Sequence, residues 1–162
     1  MQSALAHAID QLPPALRSEL LAWHQQHSLA VLPAELMQRL QQVSGLTLPQ
    51  LTLALLPLAA AFSYAAISHF HVGAIVWGGS GDFYLGANME FSRQSLSQTI
   101  HAEQCAINHA WLHNEISLLG ITINASPCGH CRQFMNETSS AQTLRIYLPT
   151  SEHALPQLLP AA

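Results

Sequence analysis

Apolar residues in the first part of the chain recur at helical spacing. Leu16, Leu20, Leu21 and Trp23 fall on one side of a segment that opens at Pro14 and runs to about His27. A second helix is expected after Pro33, with Leu36, Met37, Leu40 and Val43 on one face and Gly45 as its stop. Leu48 to Ala66 then reads as a mostly apolar helix with a kink or restart at Pro57. No Asp, Glu, Lys or Arg lies between Leu40 and Gly81, so a membrane span has to be considered. The most apolar part, Leu53 to Ile67, is shorter than the ~20 residues a spanning helix needs and is interrupted by Pro57 and Ser63. A buried helix and no membrane association are expected.

The period then changes. Phe70 to Trp77 is rich in apolar and β-branched residues, residues 78–82 read as a turn, and Phe83 to Met89 as a second strand, which makes a hairpin. Thr99 to Asn114 is helical, with Thr99 as candidate N-cap and Ile107, Ala110, Trp111 and Ile116 as the buried stripe. Leu118 to Ala125 reads as a buried strand, Gly129 to Glu137 as a short helix and Leu144 to Leu148 as another strand. The order ββαβαβ implies an α/β fold, a three-layer α/β/α arrangement around a mixed sheet, preceded by a helical appendage. The expected division is 1–47 for the helical region, 48–150 for the catalytic domain and 151–162 for a linker or the start of a second domain.

Charge and cysteine content narrow the function. The net charge is −4, and all basic residues are single, scattered arginines (Arg17, Arg39, Arg93, Arg132 and Arg145) with no lysine. Nucleic-acid backbones are a poor match for this distribution, and a small, roughly neutral substrate fits better. Three cysteines, two of them spaced as Cys128-Gly129-His130-Cys131, point to metal or redox chemistry in a reducing compartment. Met1 to Asp10 has no basic n-region, so a cytoplasmic location is expected.

Two short stretches carry the chemistry: His101-Ala102-Glu103 at the opening of a helix, and Pro127-Cys128-Gly129-His130-Cys131 at a strand-to-helix turn. Cysteines three apart on a first helical turn can aim both sulfurs at one point, where the helix dipole favours thiolate. One imidazole and two thiolates leave a tetrahedral zinc one position short, which is the opening a catalytic site needs for water. Glu103, two residues after the histidine, can sit beside that water as general base without ligating the metal. H-x-E followed by P-C-x-x-C is the established signature of zinc deaminases.

Four motifs together resemble cytidine deaminase, most closely the long-subunit, homodimeric bacterial form. They are Phe70-His71-Val72-Gly73-Ala74, Asn88-Met89-Glu90, Gln98 to Gln104, and Pro127 to Gln133. The resemblance covers nearly the whole chain. It implies a cytidine deaminase-like fold, one zinc per chain on His101, Cys128 and Cys131, and hydrolysis of free cytidine and deoxycytidine to the uridines and ammonia. It also implies Asn88 and Glu90 on the ribose hydroxyls, Phe70 against the pyrimidine ring, and backbone groups near Ala102, Ser126 and Cys128 on the base edge. Glu103 becomes the proton shuttle, serving N3 of the base and the departing amine. A homodimer is the implied assembly.

Other readings stay open at this level. Two cysteines at this spacing also suit a structural zinc module or a redox pair, and a deaminase of nucleic-acid bases shares the zinc motif. Cys105, one turn after His101, reads as a small buried residue rather than a fourth ligand, and Arg132 as a donor to the thiolates. His109 and His113, at i,i+4, formally offer a weak second site. Long-subunit members continue into a second, silent domain, whereas this chain stops at Ala162. That reads as the first half of such a protein, with the Leu53 to Ala66 helix and residues 155–159 partly uncovered.

Overall fold

Leu5, Ala8 and Ile9 follow the i, i+3, i+4 spacing of one helical face, and all three are buried. They belong to α1 (Gln2–Asp10), a helix that precedes the first one expected from the sequence. The computed structural model describes residues 2–149 and 151–154. α2 (Pro14–His24) opens on its proline, and α3 (Ala34–Ser44) ends on Gly45, whose φ of 67° places it in the left-handed region that glycine tolerates. On these helices Leu21 and Val43 face solvent, while Leu16, Leu20, Leu36, Met37 and Leu40 face the core.

α4 (Leu48–Ala60) is continuous through Pro57, so the expected restart does not occur, and the helix stops six residues short of Ala66. Its first turn is held by Gln50, whose Oε1 accepts the Thr47 N–H at 3.0 Å. Leu51, Leu55, Leu56, Leu58 and Ala59 are buried against α1, α2, α3 and one sheet face. The expectation that the stretch from Leu53 to Ala66 would stand partly uncovered holds on one side only: Leu53 and Ala54 are half-buried and Pro57, Tyr64 and Ala66 exposed, while the opposite face is covered by the N-terminal helices and the sheet. Residues 155–159, the other apolar stretch in that expectation, lie outside the described residues. A buried pair of hydroxyls, Thr52 Oγ1 and Thr122 Oγ1 at 2.7 Å, pins α4 to the sheet. Among the described residues no single helix is long and apolar enough to cross a membrane.

The sheet comprises β1 (Val31–Leu32), β2 (Gly73–Gly78), β3 (Phe83–Ala87), β4 (Leu118–Ile123), β5 (Arg145–Leu148) and β6 (Ser151–Ala154), in the order β1-β3-β2-β4-β5-β6. β4 and β5 are parallel and the other pairs antiparallel. The parallel pair is joined through α6 (Gly129–Asn136), the crossover such a pair requires. β1 and β6 lacked any clear sequence period, being two and four residues long. β2 is buried at every position because both faces are covered, Ile75 and Trp77 by α4 and its neighbours, Ala74 and Val76 by α5 (Ala102–Leu112).

α5 departs from the sequence reading in a way that matters for the site. It starts at Ala102, with His101 rather than Thr99 at its N-cap, and Thr99 closes a 3-10 turn at Leu96–Gln98. Its buried face is Ala102, Ala106, Ile107 and Ala110, whereas Trp111 and Ile116 are 52% and 64% exposed. Close approach to β3 is the reason. A Cβ on Gly86 would lie 2.2 Å from Ala106 N and 2.5 Å from the Ala102 carbonyl, so only small side chains fit between helix and strand. Trp111, on the opposite side of α5 from this seam, points outward, while Ile107 is buried beside the seam.

Candidate metal centre and active-site cleft

Both chemistry-bearing segments sit at helix N-termini. His101 has an extended backbone (φ −82°, ψ 152°) immediately before α5, and Glu103, 4% exposed, is in the first turn. Cys128 is likewise the extended N-cap of α6, where its Sγ accepts the Cys131 N–H at 3.4 Å, and Cys131 is buried. The imidazole nitrogen and the two sulfurs all lie within 4.8 Å of one another.

This donor set fits zinc. With metal–sulfur bonds of ~2.3 Å and metal–nitrogen bonds of ~2.0–2.1 Å, a tetrahedral N···S edge is about 3.6 Å. His101 Nδ1 and Cys128 Sγ are 3.6 Å apart. Without a cation, burial first and the Glu103 carboxylate second push the Cys131 thiol far above its ordinary range. A thiolate at that position therefore calls for a positive partner beyond the helix terminus. Among the described residues this is the only cluster of three or more such ligands. Cys105 does not join it and instead lines a separate cavity of about 240 Å³ with Met89 and His109. The Nδ1 atoms of His109 and His113 are each engaged by a main-chain carbonyl, of Leu85 and His109 respectively.

Of the residues assigned to zinc, catalysis or substrate from the sequence, all except the buried Cys131 line one cavity of about 260 Å³. His101, Glu103 and Cys128 lie at its metal end. Asn88 and Glu90, just past β3, and Phe70 lie on its wall, with Ala102 and Ser126 between. Phe70 precedes β2, which begins at Gly73 rather than at Phe70, and the residue is 59% exposed.

Residues 49–147 match the family described as the cytidine and deoxycytidylate deaminase zinc-binding region. The chain belongs to that family. It is 54% identical over 153 residues to a cytidine deaminase of Vibrio cholerae serotype O1, covering 92% of this chain and 51% of the relative. With a cytidine deaminase of Salmonella choleraesuis it shares 51% identity over 162 residues, 99% of this chain and 54% of the relative. The chain thus spans about half the length of these curated relatives. The crystal structure of cytidine deaminase from Mycobacterium tuberculosis superposes with a TM-score of 0.58 at 31% identity, covering 64% of this chain and 87% of that one. Within the family's zinc-binding region, the cluster of His101, Cys128 and Cys131 fits a single zinc site.

Ser68 escaped the sequence reading, because it stands in an irregular stretch with neither helical nor strand period. It lines the cavity and is a principal support of Glu90. Glu90 accepts the Ile67 N–H at 2.6 Å, the Ser68 N–H at 3.0 Å and the Ser68 hydroxyl. These bonds, the Ser68 hydroxyl foremost, hold the Glu90 carboxyl below the usual carboxylate range. A carboxyl lowered in the folded state stabilises the fold above its ordinary value, and that contribution is lost as pH falls through the lowered value. Ser68→Ala should therefore raise the Glu90 titration midpoint, read by carboxyl-carbon NMR. Its destabilisation in urea at pH 7 should shrink as the solution is acidified through that window. An unmoved midpoint would refute the assignment of cause.

Proposed function

We propose that the protein hydrolyses free cytidine and deoxycytidine, replacing the C4 amino group by oxygen from water and releasing ammonia, as a pyrimidine-salvage reaction. The observation that carries this reading is a buried carboxylate beside a three-donor metal site in one small cleft. His101, Cys128 and Cys131 hold the zinc; when bound it supplies Lewis acidity, lowering the pKa of a coordinated water towards ~7. Glu103 does the proton work. Its carboxylate lies against the Cys131 thiol and lines the cleft, so it can take a proton at the metal end and return protons to N3 of the base and to the departing amine. Asn88 and Glu90 orient the sugar, Phe70 covers the ring, and Ala102, Ser126 and Cys128 present main-chain groups to the base edge. Function through paired thiols presupposes a reducing, cytoplasmic setting.

Two sets of variants separate metal binding from proton transfer. Cys128→Ala and Cys131→Ala should lose zinc by metal analysis. Glu103→Gln should retain one zinc per chain yet lose ~10²- to 10⁴-fold in turnover. Near-normal turnover by Glu103→Gln would leave only a structural zinc module.

Substrate class is favoured by the lining of the cleft, which among the described residues contains no lysine or arginine to follow a phosphate backbone. Cytidine and deoxycytidine should be turned over in preference to cytosine and to single-stranded oligonucleotides, and Asn88→Ala should penalise the nucleosides more than the base. Equal use of base and nucleoside would contradict the sugar contacts.

The partner in this reading is a second copy of the chain. Tyr64, Phe70, Leu96 and Ile100 are exposed apolar residues, two of which, Phe70 and Leu96, line the cleft, and a second copy would cover them. Sedimentation equilibrium should show dimers at micromolar concentration; a monomer throughout that range would remove the homodimer.

A further inference from the structure

The imidazole and the thiols reach the metal position from two separate helices, and both helices present their positive ends to it. Between the ligands themselves the two ends meet through the 3.6 Å contact of His101 Nδ1 with Cys128 Sγ, a weak hydrogen-bonding atom. One side chain outside the ligand set spans the gap. Gln104 Oε1 accepts the main-chain N–H of His101 at 3.2 Å, and its Nε2 is 2.9 Å from His130 Nε2. The first bond settles the orientation of the amide, so Nε2 is the donor in the second and His130 Nε2 carries the lone pair. His130 stands between Cys128 and Cys131, and its ring centre is 5.6 Å from that of His101.

We propose that Gln104 is a positioning residue that sets the spacing of the metal donors. A single amide ties the residue bearing the imidazole to the turn bearing both thiols. Its carbonyl end also caps α5, so the tie acts on the helix terminus itself rather than on a mobile side chain. Binding zinc then requires less ordering of two independent segments, which is how a supporting side chain raises metal affinity without touching the metal.

The test uses the full chain and zinc alone, so it reads the tie whether or not cytidine is the substrate. Zinc affinity is measured by competition with a chromophoric chelator for Gln104→Met, His130→Phe and the double variant, and the visible spectrum of the cobalt-substituted protein reports ligand geometry. His130 is exposed and its replacement leaves the Gln104–His101 cap in place, so His130→Phe should melt like the native chain when metal-free. Each single variant should bind zinc about 10- to 100-fold more weakly, with the same displacement of the cobalt bands. The double variant should be no weaker than the weaker single one beyond about threefold, since both changes break the same link. His130→Gln, which keeps an acceptor for the Gln104 amide, should recover affinity. Native zinc affinity in His130→Phe, or losses that multiply in the double variant, would overturn the proposal.

Discussion

α5 can carry a metal ligand and a carboxylate to the end of the sheet because almost no side chain separates it from β3. Gly86 leaves the space into which Ala106 and the Ala102 carbonyl move, and Ala102, Ala106 and Ala110 are all fully buried along that seam. Contact between backbones leaves little freedom to slide, since interiors packed to this density resist displacement. The start of α5 is thereby registered against the end of β3, which places His101 and Glu103 opposite Asn88 and Glu90. Catalytic geometry is sensitive at this scale, because a shift of ~1 Å can cost about 10²-fold in rate. The alanine seam is in that sense part of the site.

Charge is the second constraint. Two potential thiolates and a carboxylate meet where the N-terminal ends of α5 and α6 supply positive potential. Those ends are too weak to ionise Cys131 alone, given the upward push of burial and of Glu103 on its thiol. A divalent cation held by His101, Cys128 and Cys131 would resolve the conflict by favouring the thiolate form of both cysteines. The burial that makes Cys131 a poor thiolate without metal is what makes it a firmly held ligand with it.

Residues whose chemistry is carried by spacing along the chain were legible in the sequence. His101, Glu103, Cys128 and Cys131 announce themselves because a helix start converts short intervals into convergence. The apolar runs that become β2, β4 and α4 were legible too, since both faces of the sheet are covered. What was missed depends on tertiary approach. Trp111 and Ile116 look like core residues by type, yet the face of α5 that meets the sheet is the one bearing Ala102, Ala106, Ile107 and Ala110, which leaves Trp111 exposed, and Ile116 lies beyond the helix end. Pro57 looks like a break, yet packing of α4 on the sheet carries the helix through it. β1 and β6 gain their strand character from a neighbouring edge rather than from their own few residues. Gln104 and Ser68 are ordinary polar residues in the sequence, and only their partners distinguish them.

The irregular stretch between α4 and β2 has a physical reason to be irregular. A helix or strand there would commit its N–H groups to itself, whereas this segment gives them to the end of β3. Tyr64 donates its N–H to the Asn88 carbonyl at 3.0 Å and accepts the Glu90 N–H at 2.8 Å. The Ser63 hydroxyl and the Val72 N–H both donate to Asn88 Oδ1, at 2.6 and 2.9 Å, and Asn88 Nδ2 donates to the Phe70 carbonyl at 2.8 Å. An amide has two acceptor sites and two N–H groups, so Asn88 keeps one N–H without a partner among the described residues. Glu90, having accepted from Ile67 and Ser68, keeps acceptor capacity on its carboxylate. One donor on Asn88 and one acceptor on Glu90 are thus left over, on two residues that line the same cavity and whose other valences are satisfied. A hydroxyl group, which donates and accepts through the same oxygen, is the complement of that pair.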